Sequence, residues 1–238
     1  MTFFYDFNIA PNEEVIQCLE DHKFKGACMF FDADNYDNSC RDIFNYLNEN
    51  TSLELYHGIL ISESNPELLR KHVQRYYNKV DLIMVNGLND KINRVACNLA
   101  HVDILNHPYS NKRHCGINHV LASMLVENNI TVNIDIYELL HTRQMRRAKL
   151  INHVNEMMKL KDKYGFNVIA SSSAKSFYDV RSPKNLILLS QLFRVDEEYA
   201  RKLISDNVSK VIDDITIHKE SVIDGVRIVH DVDKRTCE

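Results

Sequence analysis

The chain is 238 residues long, with 45% hydrophobic and 26% charged residues, the balance of a globular protein and not of a disordered one. Its net charge of −4 excludes a polycation that coats nucleic acid all over and leaves room only for a local basic patch. Six scattered cysteines without a C-x-x-C pair, an opening MTFFYDFNIA without a basic leader, and no apolar run near the roughly 18 residues of a membrane span argue for reduced thiols, no zinc knuckle, no membrane contact and a cytoplasmic protein.

Short β-branched or aromatic runs alternate with stretches of helical period. In chain order, strands are expected at Phe3–Tyr5, Ala27–Phe31, Leu53–Ile61, Leu82–Val85, Val102–Leu105, Thr131–Ile136 and Asn167–Ala170. Helices are expected between them, near 12–24, 37–50, 66–78, 90–99, 115–128 and 140–163. Ile117, Val120, Leu121, Met124 and Leu125 form the i, i+3, i+4, i+7, i+8 stripe of an amphipathic helix. Asn65 before Pro66 and Ser182 before Pro183 read as N-caps with proline at the first helical position, and Gly165 reads as a helix stop. Helical segments continue from 183 to about 217, followed by a short strand at Val226–Val229 in a polar tail. Strict β–α alternation implies a parallel sheet covered by helices. Seven strands over such a length suit one closed α/β barrel spanning 1–217, with 218–238 as a short C-terminal extension.

The reactive end of such a barrel is the C-terminal end of its strands. There the sequence places Asp6 and Asn8, Asp32 and Asp34, Asn86, Asn106-His107-Pro108, and Ser171-Ser172-Ser173-Ala174-Lys175. A divalent ion needs three or more His or carboxylate ligands, and only Asp6, Asp32 and His107 qualify, so no metal site and no catalytic residue is assigned. A metal-dependent phosphoesterase built on those three residues is the alternative, and a protein-interaction scaffold without RNA contact is a third reading. Six glycines leave no nucleophile elbow and no phosphate loop. Charge is more informative. Residues 141–195 hold eleven Lys or Arg against three acids, net +8, whereas 1–140 carry net −8 and 196–238 net −4. A basic segment of that density supports phosphate binding despite the overall sign.

The run Asn106-His107-Pro108, then Arg113-His114-Cys115-Gly116-Ile117-Asn118-His119-Val120-Leu121-Ala122, then Ser171–Lys175 with Asp179-Val180-Arg181-Ser182-Pro183, resembles the family of archaeal ribonuclease P protein component 3. That family is the counterpart of the thirty-kilodalton subunit of the eukaryotic enzyme. The opening Phe4-Tyr5-Asp6-Phe7-Asn8-Ile9 fits it too, and the resemblance runs from about residue 3 to 205. It implies a TIM-barrel-like (β/α) barrel related to the PHP superfamily, with parallel central strands and outer helices. It also implies a non-catalytic protein subunit of the ribonucleoprotein that removes the 5′ leader from precursor tRNA, an endoribonuclease whose catalytic centre lies in its RNA. The implied partners are ribonuclease P RNA, other protein subunits (especially a smaller α/β one) and precursor tRNA as holoenzyme substrate. No cofactor is expected on the protein itself, and Mg²⁺ is expected for the RNA-containing holoenzyme. Where PHP enzymes carry an H-x-H pair after the first strand, Asp6 and Asn8 stand here; where their last strand ends in an acid and a histidine, Ser173 and Lys175 stand. The residues chosen for RNA contact are Arg113, Lys175 and Arg181, with Lys112 and Lys184 behind them. Asn118 and His119 are read as loop organisers.

Overall fold

A computed structural model describes residues 2–110, 113–223 and 226–227, with side chains through Ile217. Seven parallel strands, β1 (Tyr5–Ile9), β2 (Gly26–Asp32), β3 (Glu54–Ile61), β4 (Leu82–Asn86), β5 (Ile104–Asn106), β6 (Thr131–Asp135) and β7 (Val168–Ser171), pair in sequence order. The helices α1 (Glu13–Asp21), α2 (Asn38–Glu49), α3 (Pro66–Tyr76), α4 (Asp90–Cys97) and α5 (His119–Glu127) return the chain after the first five strands. After β6 come α6 (Ile136–His141) and α7 (Gln144–Tyr164). Then α8 (Pro183–Ser190), α9 (Glu197–Lys202) and α10 (Asp206–Glu220) follow β7, with a small antiparallel pair, β8 (Ser221–Ile223) and β9 (Val226–Arg227), behind them.

Alternation along the strands sorts side chains into two cores. Ala27, Met29 and Phe31 of β2, with Ile59, Val85, Leu105 and Val132, pack outward against the helices. Tyr5, Phe7, Cys28, Phe30, Leu82, Met84, Ile104 and Ile169 point the other way and fill the barrel. Val208, Val211 and Ile215 of α10 join that inner cluster. Asn167 Nδ2 donates to Asn207 O at 2.9 Å and Asn207 Nδ2 to Val168 O at 2.7 Å, so α10 plugs the end where the strands begin.

Between β7 and β1 the barrel is bridged by backbone that is not a strand. Ala170 N donates to Leu203 O (3.0 Å) and Tyr5 N to Ile204 O (2.9 Å), so the α9–α10 turn stitches β7 to β1. Nearer the strand ends the seam closes directly. Ala10 N donates to Ala174 O at 2.9 Å and Ser172 N to Asp6 Oδ1 at 2.8 Å.

Several expectations shift. The first strand is Tyr5–Ile9, not Phe3–Tyr5; Asp6 and Asn8 interrupt the apolar pattern because their side chains serve the seam. The helix expected from 115 begins at His119, where the N-cap Asn118 accepts on Oδ1 from Leu121 N at 3.0 Å. The helix expected over 140–163 is two, broken at Thr142–Arg143, because Arg147 Nε and Nη2 donate to the carbonyls of Thr142 (2.7 Å) and Leu140 (2.9 Å). The caps at Asn65 and Ser182 and the left-handed stop at Gly165 (φ 84°) stand as read. α10 crosses the boundary expected at 217, and residues 228–229 of the last expected strand lie outside the described residues.

Candidate functional site

The mouth of the barrel, at the C-terminal strand ends, is a belt of amides and hydroxyls. Asn86 Nδ2 donates to Ser62 Oγ (2.6 Å), Asn106 Nδ2 to Asn86 Oδ1 (2.8 Å), and Asn133 Nδ2 to Asn106 Oδ1 (2.8 Å). Ser171 Oγ donates to Asn133 Oδ1 (3.0 Å) and lies 3.2 Å from Ser173 Oγ, which accepts from Asn8 Nδ2 (2.9 Å). The belt therefore runs from β3 through β4, β5, β6 and β7 to β1. Three non-glycine residues in it, or touching it, have left-handed backbone: Asn8 (φ 115°), His107 (φ 33°) and Ser173 (φ 52°). Such conformations cost about 1–3 kcal/mol each, and here the side-chain bonds of the belt hold them.

His107 hangs from the belt, its Nε2 2.9 Å from Asn86 Oδ1. Its Nδ1 lies 2.8 Å from Ser110 Oγ, which in turn donates to Glu138 Oε2. Asp135 accepts from Glu138 N at 2.9 Å, and burial, the largest influence on it, pushes its carboxyl upward. Asp6 is fully buried; burial raises it to about 6, with the Ser172 hydrogen bonds opposing. Its second oxygen, Oδ2, has no hydrogen-bond partner among the described residues. Asp32 is exposed and holds Asp34 N at 3.0 Å. Among the described residues no group of three or more His, Cys, Asp or Glu is placed to hold a metal ion.

Around this mouth stand the chosen cations. Lys175 is exposed, its Nζ 4.8 Å from the centroid of Tyr137, which stacks on His141 at 3.8 Å. Asp179 shapes the loop by accepting from Ser176 N (3.0 Å) and Ser176 Oγ (2.8 Å). Arg181 closes the same loop, its Nη1 donating to Tyr178 O (2.7 Å) and Val180 O (2.8 Å). It is therefore a loop clamp as well as a cation. Lys184 is exposed in the first turn of α8. Arg113, also exposed, sits on the β5–α5 loop beside His114, whose Nε2 is 3.2 Å from Asp90. The β7–α8 loop thus gathers Lys175 and Arg181, while among the described residues no contact joins them to Arg113. Lys112 lies outside the described residues.

Sequence reading counted Arg146 and Lys149 within the basic segment but did not single them out. Both are exposed and line a cleft with Ser110 and Glu138. The signal was present as the basic density of 141–163, but the face these residues occupy depends on the α6–α7 bend.

A family profile described as RNase P subunit p30 matches residues 3–220. A protein of Methanothermobacter thermautotrophicus named Ribonuclease P protein component 3 is 30% identical over 234 residues, covering 95% of each chain. One chain of a structure described as archaeal ribonuclease P with mature tRNA superposes with a TM-score of 0.85 at 26% identity, over 97% of this chain and 100% of that one. Fold alone is shared with histidinol phosphate phosphatase of Lactococcus lactis, a structure described as complexed with zinc, at TM-score 0.53 and 7% identity over 89% and 93% of the two chains. A metal of that kind does not fit the present mouth. Its ring is built of neutral amides and hydroxyls already bonded to one another, and Asp6, the carboxylate nearest the seam, is buried against Ser172.

Proposed function

The chain belongs to the RNase P subunit p30 family, and on that premise we propose that it acts as a protein subunit of ribonuclease P, binding RNA through the rim of a barrel whose mouth is ringed by mutually bonded amides and hydroxyls. The observation that carries this reading is the contrast between mouth and rim. Amides neither donate nor accept a proton at neutral pH, and the belt's hydroxyls at Ser62, Ser171 and Ser173 are bonded to its amides and not to an imidazole, so the belt itself offers no activated nucleophile. Cations cluster instead on the loops and helix around it, at Arg113, Lys175, Arg181 and Lys184. Phosphate contacts of this kind position a subunit on RNA without reading its bases.

The removal of the 5′ leader from precursor tRNA then belongs to the RNA, with Mg²⁺ serving the RNA-containing holoenzyme and none held by this chain. A smaller α/β protein subunit is the partner favoured among the other protein components. Six cysteines scattered without a C-x-x-C pair support work in a reducing cytoplasm, and no described helix is long and apolar enough to cross a membrane.

The test is reconstitution of the enzyme from its RNA and protein subunits with Arg113→Ala/Lys175→Ala. At limiting protein, precursor-tRNA cleavage falls by roughly tenfold, since two phosphate contacts are lost, and excess protein restores it. Undiminished cleavage would remove these residues from the interface. Phosphatase turnover by the isolated chain with stoichiometric zinc or manganese would replace the whole reading with a metal hydrolase.

A further inference from the structure

The first turns of α7 present a face that the fold does not consume. Arg146, Lys149 and His153 recur at i, i+3 and i+7 and so share one side of the helix. They face Ser110, Glu138 and Thr142 across a cleft of about 400 Å³, within the size range of small-ligand sites. Arg147, between them in sequence, is turned to the carbonyls of Leu140 and Thr142 and fixes the bend that makes the cleft's wall. The ion pairs of the described residues involve neither Arg146 nor Lys149.

Two exposed cations and an imidazole therefore face one carboxylate. Glu138 takes Ser110 Oγ on Oε2, and its Oε1 receives no hydrogen bond from a described residue. A lone carboxylate weakens a site for bare phosphate, and it is accommodated when the anion brings a hydroxyl donor of its own. A ribonucleotide does so, because its phosphate satisfies the cations while its 2′-hydroxyl donates to the carboxylate. We propose that this cleft receives one nucleotide of an RNA strand, with the phosphate on Arg146 and Lys149 and the ribose 2′-hydroxyl on Glu138. The assignment rests on the RNA-subunit reading above and adds to it a discrete pocket that distinguishes RNA from DNA.

The full chain is titrated with adenosine 5′-monophosphate, its 2′-deoxy counterpart and inorganic phosphate while the His153 ring protons are followed by NMR. In parallel, affinity for ribonuclease P RNA is measured against salt for Arg146→Ala/Lys149→Ala and for Arg113→Ala/Lys184→Ala, a pair outside the cleft. The ribonucleotide saturates the His153 shift at several-fold lower concentration than either other ligand. The cleft variant keeps its melting temperature, binds RNA at least roughly tenfold more weakly, and loses about two from the slope of log affinity on log salt. Equal responses to the three small ligands would overturn the nucleotide assignment. If the cleft variant kept wild-type affinity and slope while the outer pair lost both, the cleft would fall and the RNA reading stand. No effect from either pair would overturn both.

Discussion

At the scale of single residues, Asp6 carries a carboxyl whose pKa burial pushes toward neutrality. It is fully buried and raised from 3.8 to about 6, chiefly by desolvation, with one oxygen on Ser172 N and the other without a hydrogen-bond partner among the described residues. A folded-state value above the unfolded one means that the folded chain holds the proton more tightly. Asp6 therefore favours folding fully below about pH 4, and that contribution is lost as pH rises through about 6. The displacement corresponds to roughly 3 kcal/mol. Asp6→Asn keeps the acceptor for Ser172 N and cannot ionise. Its stability relative to wild type rises by up to that amount between about pH 4 and pH 7.5, as urea denaturation at each pH measures; parallel curves for the two proteins would refute it. Gly116 is constrained sterically. Its φ is +74°, and a Cβ there would lie 1.9 Å from Pro108 O, while Asn93 Nδ2 holds both Pro108 O (3.3 Å) and Gly116 O (2.8 Å). Gly116→Ala destabilises by more than the roughly 1–2 kcal/mol of a left-handed residue alone, and thermal denaturation reads the loss. A shift no larger than that would mean that the loop carrying Arg113 yields freely.

At the scale of elements, what could be read from sequence was what local pattern encodes. The strands inside β-branched runs and the caps at Asn65 and Ser182 follow from side-chain period and hydrogen-bonding chemistry close to hand. The start of β1 was obscured because Asp6 and Asn8, although in a strand, bond across the seam to residues far along the chain. No proline or glycine marks the break between α6 and α7; it is made by the reach of Arg147. The rim cations Arg113, Lys175 and Arg181 were legible as motif neighbours. Arg181's part in clamping Tyr178 and Val180 was not, because guanidinium geometry is set only once the loop has folded. The helix α10 shows the same limit: its apolar residues look like those of any amphipathic helix, yet Val208, Val211 and Ile215 are inner core. Ile215→Ala accordingly costs about 2–4 kcal/mol, read by urea denaturation. A loss below roughly 0.5 kcal/mol, the level of an ordinary surface substitution, would make α10 an ornament instead of a plug.

At the scale of the whole molecule, the barrel joins a belt of neutral amides and hydroxyls at its mouth to an uneven distribution of charge along its chain. Residues 1–140 carry net −8, while 141–195 carry net +8. On the function proposed above, that polarity would orient an approaching RNA toward the 141–195 segment before any specific contact forms. Because that attraction is electrostatic, it weakens steeply with salt, whereas the fold, resting on two apolar cores, does not depend on it.

One step of the neutral belt also governs how the protein ages. Asn86 is followed by Gly87, the dipeptide in which a side-chain amide is most readily attacked by the next backbone nitrogen and converted to an acid. Gly87 has no alternative, since a Cβ there would lie 2.5 Å from Pro108 Cα. In the folded chain the attacking nitrogen donates to Asn106 O at 2.9 Å and the amide is held by Ser62 and Asn106. Incubated in urea, the chain gains the mass of an amide-to-acid conversion at Asn86, and incubated folded it does not; peptide mass spectrometry distinguishes them, and equal conversion would show that the belt gives no protection. A molecule damaged while unfolded would refold with a carboxylate wedged between Asn106 and His107, so this belt records whether its chain has ever lingered in the open state.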